Sequence, residues 1–182
     1  MQTSVNYITT WFYKESKEEA SFYPQLGQKG NSSLVHSIYM QIQVPFFVTF
    51  KYYNPEAKFI FFTNLTKEDL PDYLTRLFCK LDVEVITLPY TCKPPKDWYP
   101  AWQNQFYLYD ILKYMDTRMQ ENDTLLISDA DCLCHTSLDT YLRLSARMEV
   151  LFMNSLPTEN TPSTALHFLK WKKCTEPVTE KR

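Results

Sequence analysis

Glycine is almost absent from this sequence. The chain has two glycines among its 182 residues, Gly27 and Gly30, and both lie near the N-terminus. Walker loops and dinucleotide-binding fingerprints need several glycines at fixed offsets, so that backbone amides can reach the phosphates. Neither motif can be built here. If the protein binds a nucleotide, a metal ion or side chains must neutralise the phosphates.

A strong net charge and a long apolar run are also missing. The 19 basic and 21 acidic residues leave a formal net charge of -2, which gives no sign of a nucleic-acid-binding surface. No apolar stretch approaches the ~18 residues that a membrane span needs. Residues 1–17 lack the basic start and apolar core of a signal peptide. We expect a soluble protein without a transmembrane segment, in the cytoplasm or at the cytoplasmic face of a membrane.

The cysteines do not form an evident framework. There are five, scattered along the chain, so we expect no disulfide network and a reducing compartment. The run Cys132-Leu133-Cys134-His135 invites a zinc interpretation, but a structural zinc site needs four ligands, generally from two paired clusters. The sequence has no second cluster, so we predict that these thiols are buried.

The sequence does contain alternating strand-like and helix-like segments. Apolar residues make up 45% and aromatic residues 16%, which is typical of a packed globule. The pattern predicts strands at 5–13, 58–64, 83–89, 124–131 and 149–156, and helices at 32–43, 66–82, 103–119 and 137–148. Strands separated by helices of this length indicate parallel βαβ units, and therefore an α/β fold. We predict one domain over residues 1–156, and over 157–182 a polar tail with a helical patch at 164–171.

Two carboxylates stand one residue apart at the end of the fourth predicted strand. Asp129 and Asp131 follow an apolar run, and because strand residues two apart face the same side, their side chains should converge. In open α/β sheets, ligands bind beyond the carboxyl ends of the strands. Mg²⁺ or Mn²⁺ would neutralise such a pair and could bridge to phosphate oxygens. Ala130, between them, is small enough to let a bulky ligand approach.

Other interpretations of the acid pair exist. It could be a solvated acidic turn with no function. Phosphatases of the haloacid dehalogenase type also carry Asp-x-Asp after a strand, with one acid as nucleophile and the other as acid/base. They usually carry the motif on the first strand, followed by x-Thr or x-Val, whereas here it lies on the fourth and Cys132-Leu133 follow Asp131.

The order of segments around LLISDADCL resembles the GT-A fold of nucleotide-sugar glycosyltransferases, in particular glycogenin-like and bacterial polysaccharide sugar transferases. NPEAKFIFFTN, VEVITLPY and WQNQFYLYDIL are similar to the second strand, the third strand and the preceding helix of bacterial members, and the resemblance covers residues 5–156. It implies a Rossmann-like domain with a mostly parallel sheet flanked by helices. It also implies that Asp129 and Asp131 hold Mn²⁺ or Mg²⁺ on the diphosphate of a nucleotide-sugar, with a UDP-sugar as the expected donor.

The resemblance suggests further residues for the donor site. Thr9, Thr10 and Trp11, at the end of the first strand, would lie near the base and ribose. Asn104, at the start of the third predicted helix, would contact the donor, although a helix-capping role explains it equally well. Together with Asp129, Ala130 and Asp131, these residues form the predicted nucleotide-sugar site.

The sequence does not identify the residues that would bind the acceptor or act as catalytic base. Glycosyltransferases of this fold normally continue with strands that build the acceptor site and supply a catalytic base. Residues 132–182 contain no convincing base, so the catalytic residue and the acceptor, whether glycan, lipid-linked or protein, stay unassigned. We expect the C-terminal part to be incomplete and sugar transfer to be weak; the alternative is a non-catalytic interaction module.

Overall fold

The computed structural model describes residues 4–18, 21–23, 26–94, 103–140, 150–154 and 165–169. The strands are β1 (Asn6–Phe12), β2 (Phe22–Tyr23), β3 (Gln28–Lys29), β4 (Lys58–Thr63), β5 (Val83–Thr87), β6 (Thr124–Ile127), β7 (Val150–Asn154) and β8 (Ala165–Leu169). The helices are α1 (Ser33–Tyr53), α2 (Asp72–Leu81) and α3 (Tyr107–Arg118), with 3₁₀ turns at Lys67–Asp69 and Gln103–Phe106.

The main sheet has the strand order β5-β4-β1-β6-β8-β7. Its first four strands are mutually parallel, whereas β8 pairs antiparallel with both β6 and β7. A separate antiparallel pair, β2–β3, forms a small hairpin. The predicted α/β class and the mostly parallel sheet with flanking helices are therefore confirmed.

Helices cover both faces of the parallel strands, because successive strand residues point to opposite sides. On one face α1 and α2 pack on the sheet through the buried side chains of Ile8, Phe12, Phe59, Phe61, Met40, Phe46, Phe47, Phe50, Leu74 and Phe78. On the other face α3 packs through Tyr7, Ile60, Phe62, Leu125, Ile127, Tyr107, Ile111 and Met115. The sheet is thus the middle of three layers.

The strand order reverses at β1. The chain first adds β4 and β5 on one side of β1, and then places β6 on the other side. In open α/β sheets a crevice forms at such a reversal, outside the carboxyl ends of the two central strands. The residues that follow β1 and β6 are therefore expected to border this crevice.

Two helices differ from the sequence prediction. Helix α1 continues through Pro45 to Tyr53, although a proline inside a helix costs about 3 kcal/mol. Burial of Phe46, Phe47 and Phe50 against the sheet offsets that cost. The predicted helix at 66–82 is divided by Pro71 into a 3₁₀ turn and α2.

The end of the chain differs as well. The helical patch predicted at 164–171 is wrong, since β8 is a strand hydrogen-bonded between β6 and β7. The predicted fifth strand exists as β7, but it lies at the sheet edge and runs antiparallel to β8. Residues 141–148 of the predicted fourth helix lie outside the described residues. No helix in the described part of the chain is long and apolar enough to cross a membrane.

Candidate functional site

A cavity of about 620 Å³ opens at the reversal between β1 and β6. This volume is within the range of small-molecule sites. The residues that line the cavity are Trp11, Phe12, Tyr13, Tyr23, Leu26, Ile38, Tyr39, Ile42, Asn104, Gln105, Asp129, Ala130 and Asp131. The hairpin, α1 and the 3₁₀ turn before α3 therefore all contribute to its walls.

Both acids of the pair reach this cavity. Strand β6 ends at Ile127, and the Ser128 amide still donates to the carbonyl of Thr9 in β1, at 3.1 Å. The chain then turns, with the Cys132 amide donating to the Asp129 carbonyl at 3.2 Å. Asp129 is half-buried and Asp131 is exposed. The two carboxylates thus belong to one concave surface.

Hydrogen bonds attach the segment that follows Asp131 to helix α1. The Cys134 amide donates to Thr49 Oγ1 at 3.1 Å, and the Leu138 amide donates to Asn54 Oδ1 at 2.7 Å. Asn54 itself ends α1. These bonds fix the exit of the acid turn, so the position of Asp131 depends on the C-terminal end of a helix far away in sequence.

The two thiols in this segment are buried, as predicted. Burial raises the pKa of Cys132 to about 11 and also raises the pKa of Cys134. Within the described ranges, no group of three or more His, Cys, Asp or Glu side chains could hold a metal ion.

The donor set at the cavity consists of two carboxylates. Mg²⁺ in proteins is usually held by one or two carboxylates, with waters and substrate phosphates completing the shell. Asp129 and Asp131 fit that pattern, whereas a site built wholly from protein ligands would need more groups than the described residues offer. No lysine or arginine lies among the described residues that line the cavity.

Aromatic side chains continue from β1 into the cavity wall. Trp11 is partly exposed, and its ring centroid lies 5.9 Å from that of Tyr107. Tyr13 packs at 4.8 Å from Tyr90 and at 5.4 Å from Tyr107. This cluster joins β1, α3 and the loop after β5, so the exposed part of Trp11 is held rigidly.

The other two predicted residues of β1 do not line the cavity. Thr9 is buried and its hydroxyl donates to the carbonyl of Leu126, at 3.2 Å. Thr10 is buried on the opposite face of β1, and its hydroxyl has no hydrogen-bond partner among the described residues. The structure thus brings five of the seven predicted site residues together: Trp11, Asn104, Asp129, Ala130 and Asp131.

The sequence did not single out Tyr23 and Tyr39. Asn104 donates from Nδ2 to the Tyr23 hydroxyl, and the Tyr23 and Tyr39 rings meet edge to face with centroids 5.7 Å apart. Burial and the nearby charge of Glu15 raise the pKa of Tyr23 to about 12. Burial also raises the pKa of Tyr39, and the charges of Tyr23, Asp129 and Asp131 add to that effect. Tyr39 therefore lies within electrostatic range of both acids.

Asp110 lies in the first turn of α3, close in sequence to Asn104 and Gln105. Gln105 lines the cavity, but Asp110 does not. Its carboxylate accepts from the Thr91 amide at 2.8 Å, the Cys92 amide at 3.0 Å and the Thr91 hydroxyl. Asp110 thus anchors the loop after β5. The neighbouring loop around Trp98 lies outside the described residues.

Comparison with models of known protein families, with curated proteins and with solved structures gives no match for this chain. The geometry and chemistry of the cavity are therefore the basis for assigning a function.

Proposed function

We propose that this chain is a metal-dependent glycosyltransferase that binds a nucleotide-sugar, with a UDP-sugar as the expected donor, and moves the sugar to an acceptor hydroxyl. One observation carries the proposal: Asp129 and Asp131 both line a cavity of about 620 Å³ at the point where the strand order reverses. Ligand sites in open α/β sheets occur at such points.

The charge of the cavity supports a cation-mediated ligand. Two carboxylates alone would repel a diphosphate, and no basic side chain among the described lining residues offsets them. Mn²⁺ or Mg²⁺ held by Asp129 and Asp131 would reverse the sign of the local charge. When bound, such a cation supplies Lewis-acid stabilisation of the leaving nucleoside diphosphate.

The remaining walls suit the other parts of a nucleotide-sugar. Trp11 and Tyr13 offer aromatic faces on which a base or a sugar ring can stack. Asn104, Tyr23 and Tyr39 supply hydrogen-bonding groups on another side. The ligand would therefore be oriented by its charged centre and by two chemically different walls.

The proposal is tested by thermal unfolding with a panel of UDP-sugars, with and without Mn²⁺. A ligand at 100 times its Kd should stabilise the chain by about 2.7 kcal/mol. We expect this stabilisation only with the metal, and we expect Asp131→Asn to abolish it, since the variant removes the charge but keeps the shape. Asp139→Asn, an exposed change away from the cavity, is the matched control.

Measuring UDP release with the same protein preparation distinguishes an enzyme from a binding module. Release of UDP that requires Mn²⁺ and Asp131 supports transfer or hydrolysis. Metal-dependent binding without UDP release supports a non-catalytic module. A chain that responds to neither metal nor nucleotide, or whose response survives in Asp131→Asn, contradicts the proposal.

A further inference from the structure

The amide of Asn104 has one satisfied end and one unsatisfied end. The side chain is only 7% exposed and lines the cavity. Nδ2 donates to the Tyr23 hydroxyl, while Oδ1 is buried and has no hydrogen-bond partner among the described residues. Buried polar atoms in native proteins are almost always paired, so an unpaired acceptor at a cavity wall requires an explanation.

The other unpaired buried atoms of the described chain differ from this one in their location. They are Thr10 Oγ1, His36 Nε2 and Gln43 Oε1, and none of these three residues lines the cavity. Among the described residues, Asn104 is thus the one that both carries an unpaired buried polar atom and lines the cavity.

The amide is also held in place. Its partner Tyr23 belongs to the β2–β3 hairpin, and Tyr23 in turn packs against Tyr39 of α1. Three separate elements therefore meet at this amide. Nδ2 is engaged with Tyr23, and Oδ1 is the buried atom of this amide that has no partner among the described residues, so a donor group on a ligand would satisfy it.

We infer that Asn104 Oδ1 accepts a hydrogen bond from a hydroxyl or N–H group of the bound ligand, and that Tyr23 is the positioning residue that fixes the amide for this contact. The inference deepens the proposed function, on which it rests for the identity of the ligand. In a nucleotide-sugar the donor group is a hydroxyl of the transferred sugar, a hydroxyl of the ribose or the N–H of the base.

The test compares wild type with Asn104→Leu, which has nearly the same shape but cannot accept. Affinities are measured by calorimetry in Mn²⁺ for UDP and for UDP-glucose. Loss of one hydrogen bond should weaken binding about tenfold. Weakening for UDP-glucose alone assigns the contact to a hydroxyl of the transferred sugar, and weakening for both nucleotides assigns it to the uridine, through a ribose hydroxyl or the N–H of the base. Equal affinities of variant and wild type for both nucleotides overturn the inference.

A second measurement decides the inference without any nucleotide. The comparison is made in the Tyr23→Phe background, because in wild type Asn104→Leu would also remove the Nδ2 bond to the buried Tyr23 hydroxyl. If Oδ1 is unpaired in the free protein, adding Asn104→Leu to Tyr23→Phe should keep the Tm of Tyr23→Phe or raise it. Asn122→Leu, the same change at an exposed turn outside the cavity, is the control for the substitution itself. A fall in Tm well beyond the control shows that the oxygen is already satisfied inside the protein, and overturns the inference. If wild type binds neither nucleotide, the proposed function is refuted. The Tm comparison still shows whether Asn104 Oδ1 is unpaired in the free protein, because it uses no nucleotide.

The role of Tyr23 is tested by a double-mutant cycle. Tyr23→Phe removes the acceptor of the Asn104 Nδ2 bond but keeps the ring. Its effect on nucleotide affinity should be large in wild type and small in Asn104→Leu, since there is then no amide to position. Equal effects in both backgrounds would show that Tyr23 acts only through packing, and would contradict the positioning role.

Discussion

At the scale of single residues, the partners of an aspartate decide what it does. Asp123 accepts from the backbone amides of Val5 and Gln120, both at 2.9 Å, and so ties β1 to the turn before β6. Asp110 does the same for the loop after β5. Asp129 and Asp131, by contrast, line the cavity. The first two carboxylates hold backbone, and under the proposed function the last two would hold the cation.

Asp110→Asn should lower the stability of the protein by about 1–3 kcal/mol at pH 7, because an amide cannot accept at both of its ends. Burial alone would raise the pKa of Asp110, but the hydrogen bonds from Thr91 and Cys92 outweigh it and lower the pKa below its ordinary value. A depressed pKa contributes stability that is present above the unfolded-state pKa of about 3.9 and is lost as pH falls through the folded-state value.

Urea denaturation across pH checks this prediction. The difference between wild type and Asp110→Asn should be full at pH 7 and should shrink as the pH falls from the unfolded-state pKa of about 3.9 through the lower folded-state pKa of Asp110. Glu121→Gln, at an exposed position, should show no comparable difference. A difference that does not change with pH would contradict the role given to the ionised carboxylate.

At this scale the sequence could place the acid pair but not its surroundings. Asp129 and Asp131 were predictable as a pair because an apolar strand precedes them. The strand predicted at 124–131 was too long, since β6 ends at Ile127 and both acids lie in the turn that follows, where the period-two argument does not apply. Asp110 could not be separated from Asn104 on sequence alone, since its partners come from a loop 18 and 19 residues earlier in the chain. Tyr23 gave no signal because it lies in a polar segment whose position is set by the fold.

At the scale of elements, the hairpin explains why the chain keeps two glycines. Gly30 follows β3, and a Cβ atom added there would lie 2.7 Å from Glu15 Cδ and 2.7 Å from Tyr23 Cε2. Gly27 is different: its φ is +60°, but nothing lies within 4 Å of an added Cβ. One glycine thus permits close packing under the cavity wall, and the other permits a left-handed turn.

The two glycines make a matched pair of variants. Gly30→Ala should displace Tyr23, lower stability by about 1–3 kcal/mol through overpacking, and weaken nucleotide binding. Gly27→Ala should cost only about 1 kcal/mol for the left-handed conformation and should leave binding unchanged. Urea denaturation and calorimetry with UDP-glucose and Mn²⁺ measure both effects. Equal loss of binding in the two variants would contradict a specific role for the packing at Gly30.

The elements themselves were predictable where local and tertiary preferences agree. Strand β4 and the body of helix α2 follow from their apolar patterns, whereas the division of the predicted helix at Pro71 was not predicted. Helix α1 was predicted too short, because Pro45 is a local stop signal that burial of Phe46 and Phe47 overrides. Strand β8 was predicted as helix. Its hydrogen-bond partners lie in β6 and β7, and a pattern read over a few neighbouring residues does not reveal pairing with separate segments of the chain.

At the scale of the whole molecule, the cavity is a consequence of chain order. A sheet that grew in one direction only would place β6 beyond β5, and its acids would lie away from the end of β1. The reversal instead places Trp11 and the acid pair at adjacent strand ends, with α1 and the hairpin closing the sides. The site therefore needs the four parallel strands, and β6 in turn needs a partner on its outer side.

That outer partner is β8, which lies within the segment assigned from sequence to a tail at 157–182. Its Phe168 and Leu169 pair with Leu126 and Leu125 of β6. A chain that ends at residue 156 should therefore expose the outer edge of β6 and leave β7 without its partner β8. Unpaired strand edges promote association between molecules, so this shorter chain should unfold at a lower temperature and aggregate.

A chain that ends at residue 170 is the matched comparison, because it keeps β8 and also lacks the final residues. Hydrogen exchange should be faster in β6 of the shorter chain than in β6 of the longer one, while β4 and β5 change less, since β1 still separates them from the new edge. Because the acid pair follows β6 directly, the shorter chain should also lose metal-dependent nucleotide binding. Equal exchange and equal melting of the two chains would show that β8 does not support β6, and would restore 157–182 as a tail.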